Sequence, residues 1–299
     1  MPRRITEQNN PHSAGFSEMD TLQMVTTINR EDQAVAMAVE KALPAVAEAA
    51  EAAANRLADG GRMYYFGAGT SGRLGILDAS ELPCTYGVDP SLVQAIIAGG
   101  PSAVYDAAMG DEDSVENGEA DIARLCVSAA DIVVGIAASG RTPYVLGAVE
   151  AAKRVGALTV GITNTAGSPL STAAAIAVVA ETGPEVIEGS TRMKAGTAQK
   201  MILNMLSTAA MARIGYVYQN YMVRMVPNNT KLFERAVHIV NCCTGESDEI
   251  CRATLEQSNW EIDTAIVMLL CDTDAAGATK LLTENGRCIG RVLRSRVEK

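Results

Sequence analysis

Histidine is nearly missing from this chain of 299 residues: there are two, His12 and His238. One lies in a polar N-terminal arm and the other in a helical tail. That argues against a Ser–His–Asp triad, a histidine-built metal site and a sugar-ring-opening histidine in the core. Cysteine is present but poorly arranged for chemistry. Its seven copies form no C-x-x-C pair, and the adjacent Cys242 and Cys243 cannot easily chelate one metal together. Buried, reduced thiols in a reducing compartment are expected. There is no long basic run, and the net charge is −10, which argues against nucleic acid and anionic membrane surfaces as partners. No apolar run approaches the ~20 residues of a membrane span. The N-terminus leads into polar residues rather than a secretory apolar core. A soluble cytoplasmic protein without metal or other cofactor is expected. Aromatics are only 4% of residues, so much of the helix packing falls to the abundant alanine.

What is plentiful is apolar surface, 48% of residues, enough to bury a full core. The organising stretch is Phe66-Gly67-Ala68-Gly69-Thr70-Ser71-Gly72-Arg73. Before it, 62–66 reads as a strand. After it, 74–81 reads as a short helix closed off by Pro83. A Gly-rich turn between strand and helix presents backbone N–H groups to an anion, and Thr70 and Ser71 add hydroxyl donors. Glycines there serve equally to permit a tight bend, so the motif alone decides nothing.

Along the chain, 1–16 reads as an arm outside the core. A helical pattern begins at Ser17, and a second helix covers about 32–58, kinked or split at Pro44. Strands are expected at 93–98, 131–137, 157–163 and 174–180. Helices are expected at about 102–108, 115–127 and 144–155, with a long one ending near Ile214. Strands apolar on both faces and alternating with helices imply a doubly wound parallel sheet covered on both sides, with ligands beyond the carboxyl ends of its strands. From 231 the pattern changes to short helices at 231–242, 246–256, 259–270 and 274–283. The expected division is an N-terminal arm and helices at 1–60, an α/β domain at 61–230 and a small all-α domain at 231–299.

The loops Gly69-Thr70-Ser71 and Ser139-Gly140-Arg141-Thr142, each following a strand, resemble those of the sugar isomerase (SIS) fold, whose members bind phosphosugars there. The resemblance narrows to the N-acetylmuramic acid 6-phosphate etherases. It is carried by Thr6-Glu7-Gln8, Ile28 to Asp32, Gly67 to Glu81, Gly110 to Asp113, Ala138 to Pro143 and Glu185 to Lys200, and the helical tail resembles that family's small C-terminal domain. The chain departs from the family pattern at Asn9, where Arg is common, and at Leu82-Pro83-Cys84, where Cys-Pro-Pro is more usual.

The resemblance implies cleavage of a lactyl ether at C3 of the sugar, giving N-acetylglucosamine 6-phosphate and D-lactate by elimination and then water addition. Such a reaction needs a base for the C2 proton and an acid for the departing oxygen. The resemblance puts Glu81 and Glu112 in those roles, and the expected split makes Glu81 the acid and Glu112 the base. Taken alone, Glu81 reads as a solvated helix-end residue and Glu112 as part of an acidic loop. Phosphate binding is expected of Gly69, Thr70, Ser71, Ser139, Gly140 and Thr142. Glu188, Ser190 and Thr191 are expected to line the site, although Ser190 or Thr191 would equally cap the long helix that follows. Lys194 and Arg192 read as phosphate or lactate partners, or simply as helix-surface charge. The resemblance also implies a homodimer. An aldose–ketose phosphosugar isomerase and a non-catalytic sugar-phosphate regulator remain as alternatives, separated from the etherase by its release of D-lactate.

Overall fold

A computed structural model describes residues 5–106 and 110–297. The chain divides into two compact units. One takes the residues up to Ser80 together with Ser91–Ser207; the other takes Glu81–Pro90 together with the residues from Thr208 on.

The first unit begins with an arm that the sequence reading left outside the core. Its polar residues Thr6, Asn10 and Ser13 are in fact buried, on 3-10 turns. Helix α1 (Thr21–Glu40) starts at Asp20 rather than Ser17: Asp20 accepts from Gln23 N–H, and the Gln23 side chain returns the bond in a capping box. The helix expected over 32–58 is two helices. α1 runs on to Glu40, and α2 (Leu43–Ala58) restarts with Pro44 in its first turn, where a missing N–H costs nothing.

Strand β1 (Met63–Gly67) is buried at every position and leads into α3 (Gly69–Tyr86). Pro83 does not close α3 but lies inside it, and the helix ends where Gly87 N–H reaches the Pro83 carbonyl. Next come β2 (Val93–Ile97), α4 (Val115–Arg124), β3 (Ile132–Ile136), α5 (Pro143–Arg154), β4 (Leu158–Thr163), α6 (Pro169–Ala173), β5 (Ile176–Val179) and α7 (Lys194–Arg213). The helix expected at 102–108 is a 3-10 turn at Pro101–Val104, and its later residues 107 and 108 lie outside the described residues. α6, one turn and a half long, was too short to show a helical period.

The strands form one parallel sheet in the order β2-β1-β3-β4-β5. Tyr64, Phe66, Val133, Tyr144, Val145, Val149 and Leu170 are among the residues packed in the core on one of its faces. α4 lies hard against α5 through two glycines. A Cβ on Gly118 would stand 2.1 Å from the Tyr144 carbonyl oxygen, and one on Gly147 would stand 2.2 Å from that of Val115. The 3-10 turn Asp111–Asp113 lies just ahead of α4.

The second unit holds a hairpin, β6 (Val217–Tyr218) and β7 (Tyr221–Met222), and helices α8 (Thr230–Thr244), α9 (Asp248–Gln257), α10 (Ile262–Cys271), α11 (Ala275–Glu284) and α12 (Ile289–Val297). The sequence reading gave no strand and no helix α12 here. Two-residue strands leave no periodicity to read. Val223, Val240, Leu255, Ile266, Leu282 and Val292 form its core, with Asp263 buried against Arg287 at 2.9 Å. Cysteines are free throughout, but Cys84, Cys126 and Cys242 are exposed, contrary to the expectation of buried thiols. No helix among the described residues is long and apolar enough to cross a membrane.

Candidate active site

A cleft of about 390 Å³ opens just beyond the carboxyl ends of β1 and β3, in the first unit. Ala68–Ser71 line one wall; Ala137–Ser139 and Arg141–Pro143 line another. Glu112 and Asp113 reach it from the turn before α4, Thr6 and Glu7 from the arm, and Gly189 and Thr191 from the segment before α7. Because α3 and α5 both start at this cleft, the amides of their first turns have no partner within their helices and favour an anion.

The hydroxyls of the two junctions are committed differently. Behind Ser71 runs a chain of hydrogen bonds whose direction is fixed at its far end. Asn164 Nδ2 donates to the Ala180 carbonyl, 2.9 Å, so its Oδ1 faces Gln199. Gln199 Nε2 donates to that oxygen, 3.1 Å, which turns its Oε1 toward Ser71. Ser71 Oγ therefore donates to Gln199, 2.8 Å, and its hydroxyl proton is directed into the protein. Ser139 Oγ instead accepts from the Arg141 N–H, 3.3 Å. Thr142 occupies the N-cap position of α5 without a side-chain cap bond. Gly140 does not line the cleft. At φ +62° it allows the loop to press on Ser168, whose Oγ would lie 2.1 Å from a Cβ there.

Of the two expected acid–base carboxylates, Glu112 lines this cleft and Glu81 does not. Glu81 is exposed on α3, ten residues past Ser71, which is about 15 Å of helical rise. Thr191 lines the cleft; Glu188 and Ser190 do not, and Glu188 is exposed. Neither Ser190 nor Thr191 caps α7. The Glu185 carboxylate does, accepting from Lys194 N–H and Ala195 N–H at 2.9 Å each. Burial nevertheless pushes the Glu185 carboxyl above its ordinary range.

Lys194 is neither a ligand of this cleft nor surface charge. It is 3% exposed, and its Nζ meets Glu31 Oε2 at 2.5 Å. Glu31 also takes His12 Nδ1 at 2.7 Å and Asn10 Nδ2 at 2.7 Å. Burial alone would raise the Glu31 carboxyl. Hydrogen bonds from Lys194, His12 and Asn10, with the Lys194 charge, outweigh it and hold it at about 2. His12 thus ends on Glu31, and its side chain is otherwise exposed.

Reading the sequence gave no role to Thr6, Glu7, Asp113, Arg141, Asn164 or Gln199. The first four stood inside or beside quoted motifs. Gln199 stood inside the quoted stretch Glu185 to Lys200, but it is 128 residues from Ser71 and nothing local pointed to their contact. Among the described residues, no cluster of three or more His, Cys, Asp or Glu could hold a metal ion.

Three family models match the chain: the N-terminal SIS domain of glucokinase regulatory protein over residues 45–153, the SIS domain over 114–209, and the C-terminal lid domain of glucokinase regulatory protein over 219–268. An N-acetylmuramic acid 6-phosphate etherase of Symbiobacterium thermophilum is 54% identical over 268 residues, covering 90% of this chain and 89% of the relative. Another, of Escherichia coli, is 50% identical over 293 residues and covers 98% of each. Among solved structures, a phosphoheptose isomerase from Francisella tularensis aligns with a TM-score of 0.53 and 21% identity, over 64% of this chain and 98% of that one. That likeness bears on the SIS fold alone.

Proposed function

We infer the reaction from the premise that this chain belongs to the N-acetylmuramic acid 6-phosphate etherase family. It is an enzyme, a carbon–oxygen lyase that converts N-acetylmuramic acid 6-phosphate to N-acetylglucosamine 6-phosphate and D-lactate. The observation that carries this is half or more of the residues shared with etherases along nearly the whole chain. The cleft supports it by combining two anion-binding helix starts with a carboxylate, Glu112.

In this reading the 6-phosphate rests on the first turns of α3 and α5, with Ser139 and Thr142 donating to its oxygens. In the open-chain aldehyde the C2 proton is acidic because it lies α to the carbonyl. Glu112 removes it. The C3–O bond breaks as the electron pair shifts into a C2=C3 double bond, and the lactyl oxygen leaves with a proton from an acid. Water then adds at C3. We assign the acid to Glu81.

Glu81 is not among the residues that line the cleft holding Glu112, and we assign its delivery to a second copy of the chain. A homodimer with shared sites meets that need. We also place the enzyme in the cytoplasm, where a phosphorylated sugar would be met. The test is incubation with N-acetylmuramic acid 6-phosphate and assay of lactate. D-lactate with N-acetylglucosamine 6-phosphate is expected. A ketose product would favour the isomerase, and tight binding without turnover would favour a regulator.

A further inference from the structure

The motif Thr6-Glu7 has no part in the acid–base scheme, yet both residues line the cleft. We propose that Glu7 is a substrate-binding residue whose carboxylate accepts a hydrogen bond from a neutral donor, amide N–H or hydroxyl, on the sugar part of the ligand. The proposal rests on the etherase reading for the identity of that ligand.

The chemistry of the cleft divides it. Helix-start amides, Ser139, Thr142 and Arg141 are donors and suit a phosphate dianion. An ionised carboxylate only accepts, and a phosphate repels it. Its partner is therefore an N–H or O–H elsewhere on the same molecule. An acetamido sugar phosphate carries both kinds of donor.

The arm is also built to hold Glu7 in place, which a merely solvated acid would not need. Asn10 is 3% exposed and donates to Glu31 and to the Pro184 carbonyl. Ser13 Oγ donates to the Val186 carbonyl at 2.7 Å. Glu31 in turn meets the buried Lys194 at the start of α7. A carboxylate, a buried lysine and two buried polar side chains thus fasten a short arm beside the cleft. Next to Glu7, Thr6 is buried, and its Oγ1 donates to Glu7 Oε1 at 3.3 Å. Across from it the chain turns at Gly189, φ +77°, where a Cβ would stand 3.3 Å from Glu7 Oε2. Glycine there leaves the carboxylate its room.

The experiment is calorimetric titration of the full-length protein and its Glu7→Ala and Glu7→Gln variants with N-acetylglucosamine 6-phosphate, glucose 6-phosphate and inorganic phosphate. For Glu7→Ala, affinity for N-acetylglucosamine 6-phosphate is expected to fall about tenfold or more, as for a lost hydrogen bond to a charged group, with phosphate affinity unchanged. Glu7→Gln should fall less, because an amide oxygen still accepts. A loss confined to the acetamido sugar identifies the amide N–H as the donor; a loss shared by glucose 6-phosphate identifies a hydroxyl. Unchanged sugar-phosphate affinity overturns the proposal, and so does a parallel fall for inorganic phosphate, which would place the effect on the cradle. The titrations need no turnover, so failure of the wild type to release lactate would overturn the etherase reading and leave this comparison standing.

Discussion

At the junction of β1 with α3, Ser71 sends its hydroxyl proton away from the cleft, to Gln199; at the junction of β3 with α5, Ser139 takes a hydrogen bond from the Arg141 amide and keeps its own proton to give. The two loops look alike in sequence, each a small-residue turn between a buried strand and a helix. They differ in what stands behind them. The first is backed by α7, which carries Gln199, and the second by α6, where Ser168 crowds Gly140. At the first junction the hydroxyl is taken up by the helix behind the loop, and at the second it is addressed only by the loop's own Arg141 amide. The first junction contributes backbone amides and a rigid wall. The second contributes side-chain donors.

The sharpest way to test the division between the two sides uses the carboxylates. Glu81 rides on α3; the turn bearing Glu112 leads into α4, which packs closely on α5. A positioned proton-transfer group contributes typically ~10²–10⁴-fold, so either Gln variant should lose lactate release on that scale. The two should fail differently. Glu112→Gln should abolish exchange of the C2 hydrogen with deuterated solvent, followed by NMR. Glu81→Gln should keep that exchange, because the carbanion still forms and reprotonates. The reverse pattern swaps the roles. If a second copy delivers Glu81, mixing the two dead variants should restore about one quarter of wild-type activity, because half the dimers then hold one intact site of two. No recovery on mixing would break the shared-site arrangement.

A smaller effect separates the two serines. Ser139→Ala removes a donor that is free to reach a charged phosphate oxygen, so substrate affinity should fall by about 1.5–3 kcal/mol with the fold intact. Ser71→Ala should cost much less affinity. It leaves Gln199 Oε1 without its donor in a buried place and should appear instead as a loss of about 1–3 kcal/mol of stability. Steady-state KM and urea unfolding on both variants read the pair. Equal changes in KM would mean that Ser71 turns its hydroxyl to the ligand after all, and that the junctions differ only before binding.

Much of this was legible in the sequence, for physical reasons. Strands buried on both faces show as continuous apolar runs, so β1 and β3 and their order with the helices could be read, and ligand placement beyond their carboxyl ends followed from that. The loops 69–71 and 139–142 were legible because glycine and hydroxyl residues mark such turns. Glu112 was legible only through the family resemblance, since an Asp-Glu-Asp turn alone reads as a solvated loop. What stayed hidden depends on contacts far along the chain. Nothing near Ser71 announces Gln199, and nothing near Lys194 announces that Glu31 buries it. The arm was misread because its buried residues Thr6, Asn10 and Ser13 are polar, and their burial is justified only by partners such as Val186 and Pro184.

The smallest effect on activity at working pH is expected from the cluster that anchors the arm to α7, and it too falls on one side of the comparison. Glu31, Asn10, His12 and Lys194 bear on α7, which backs the β1–α3 junction; α5 and α6 take no part. Glu31 is held at about 2 against an ordinary value of 4.5, so its folded-state pKa is depressed. A depressed carboxyl contributes stability that is fully present above the unfolded pKa and is lost as pH falls through the folded one. The window is therefore from about 4.5 down to about 2, with no change near neutrality. Glu31→Gln removes the charge that faces buried Lys194. Breaking a fully buried pair costs about 3–5 kcal/mol; because Glu31 keeps some contact with solvent, a lower cost is expected. Urea unfolding of wild type and variant from pH 7 to pH 2 gives the test. The gap between them should be constant down to about pH 4.5 and should close as pH nears 2. A gap that stays unchanged between pH 4.5 and pH 2 would show that its partners do not hold the Glu31 carboxyl below its ordinary range.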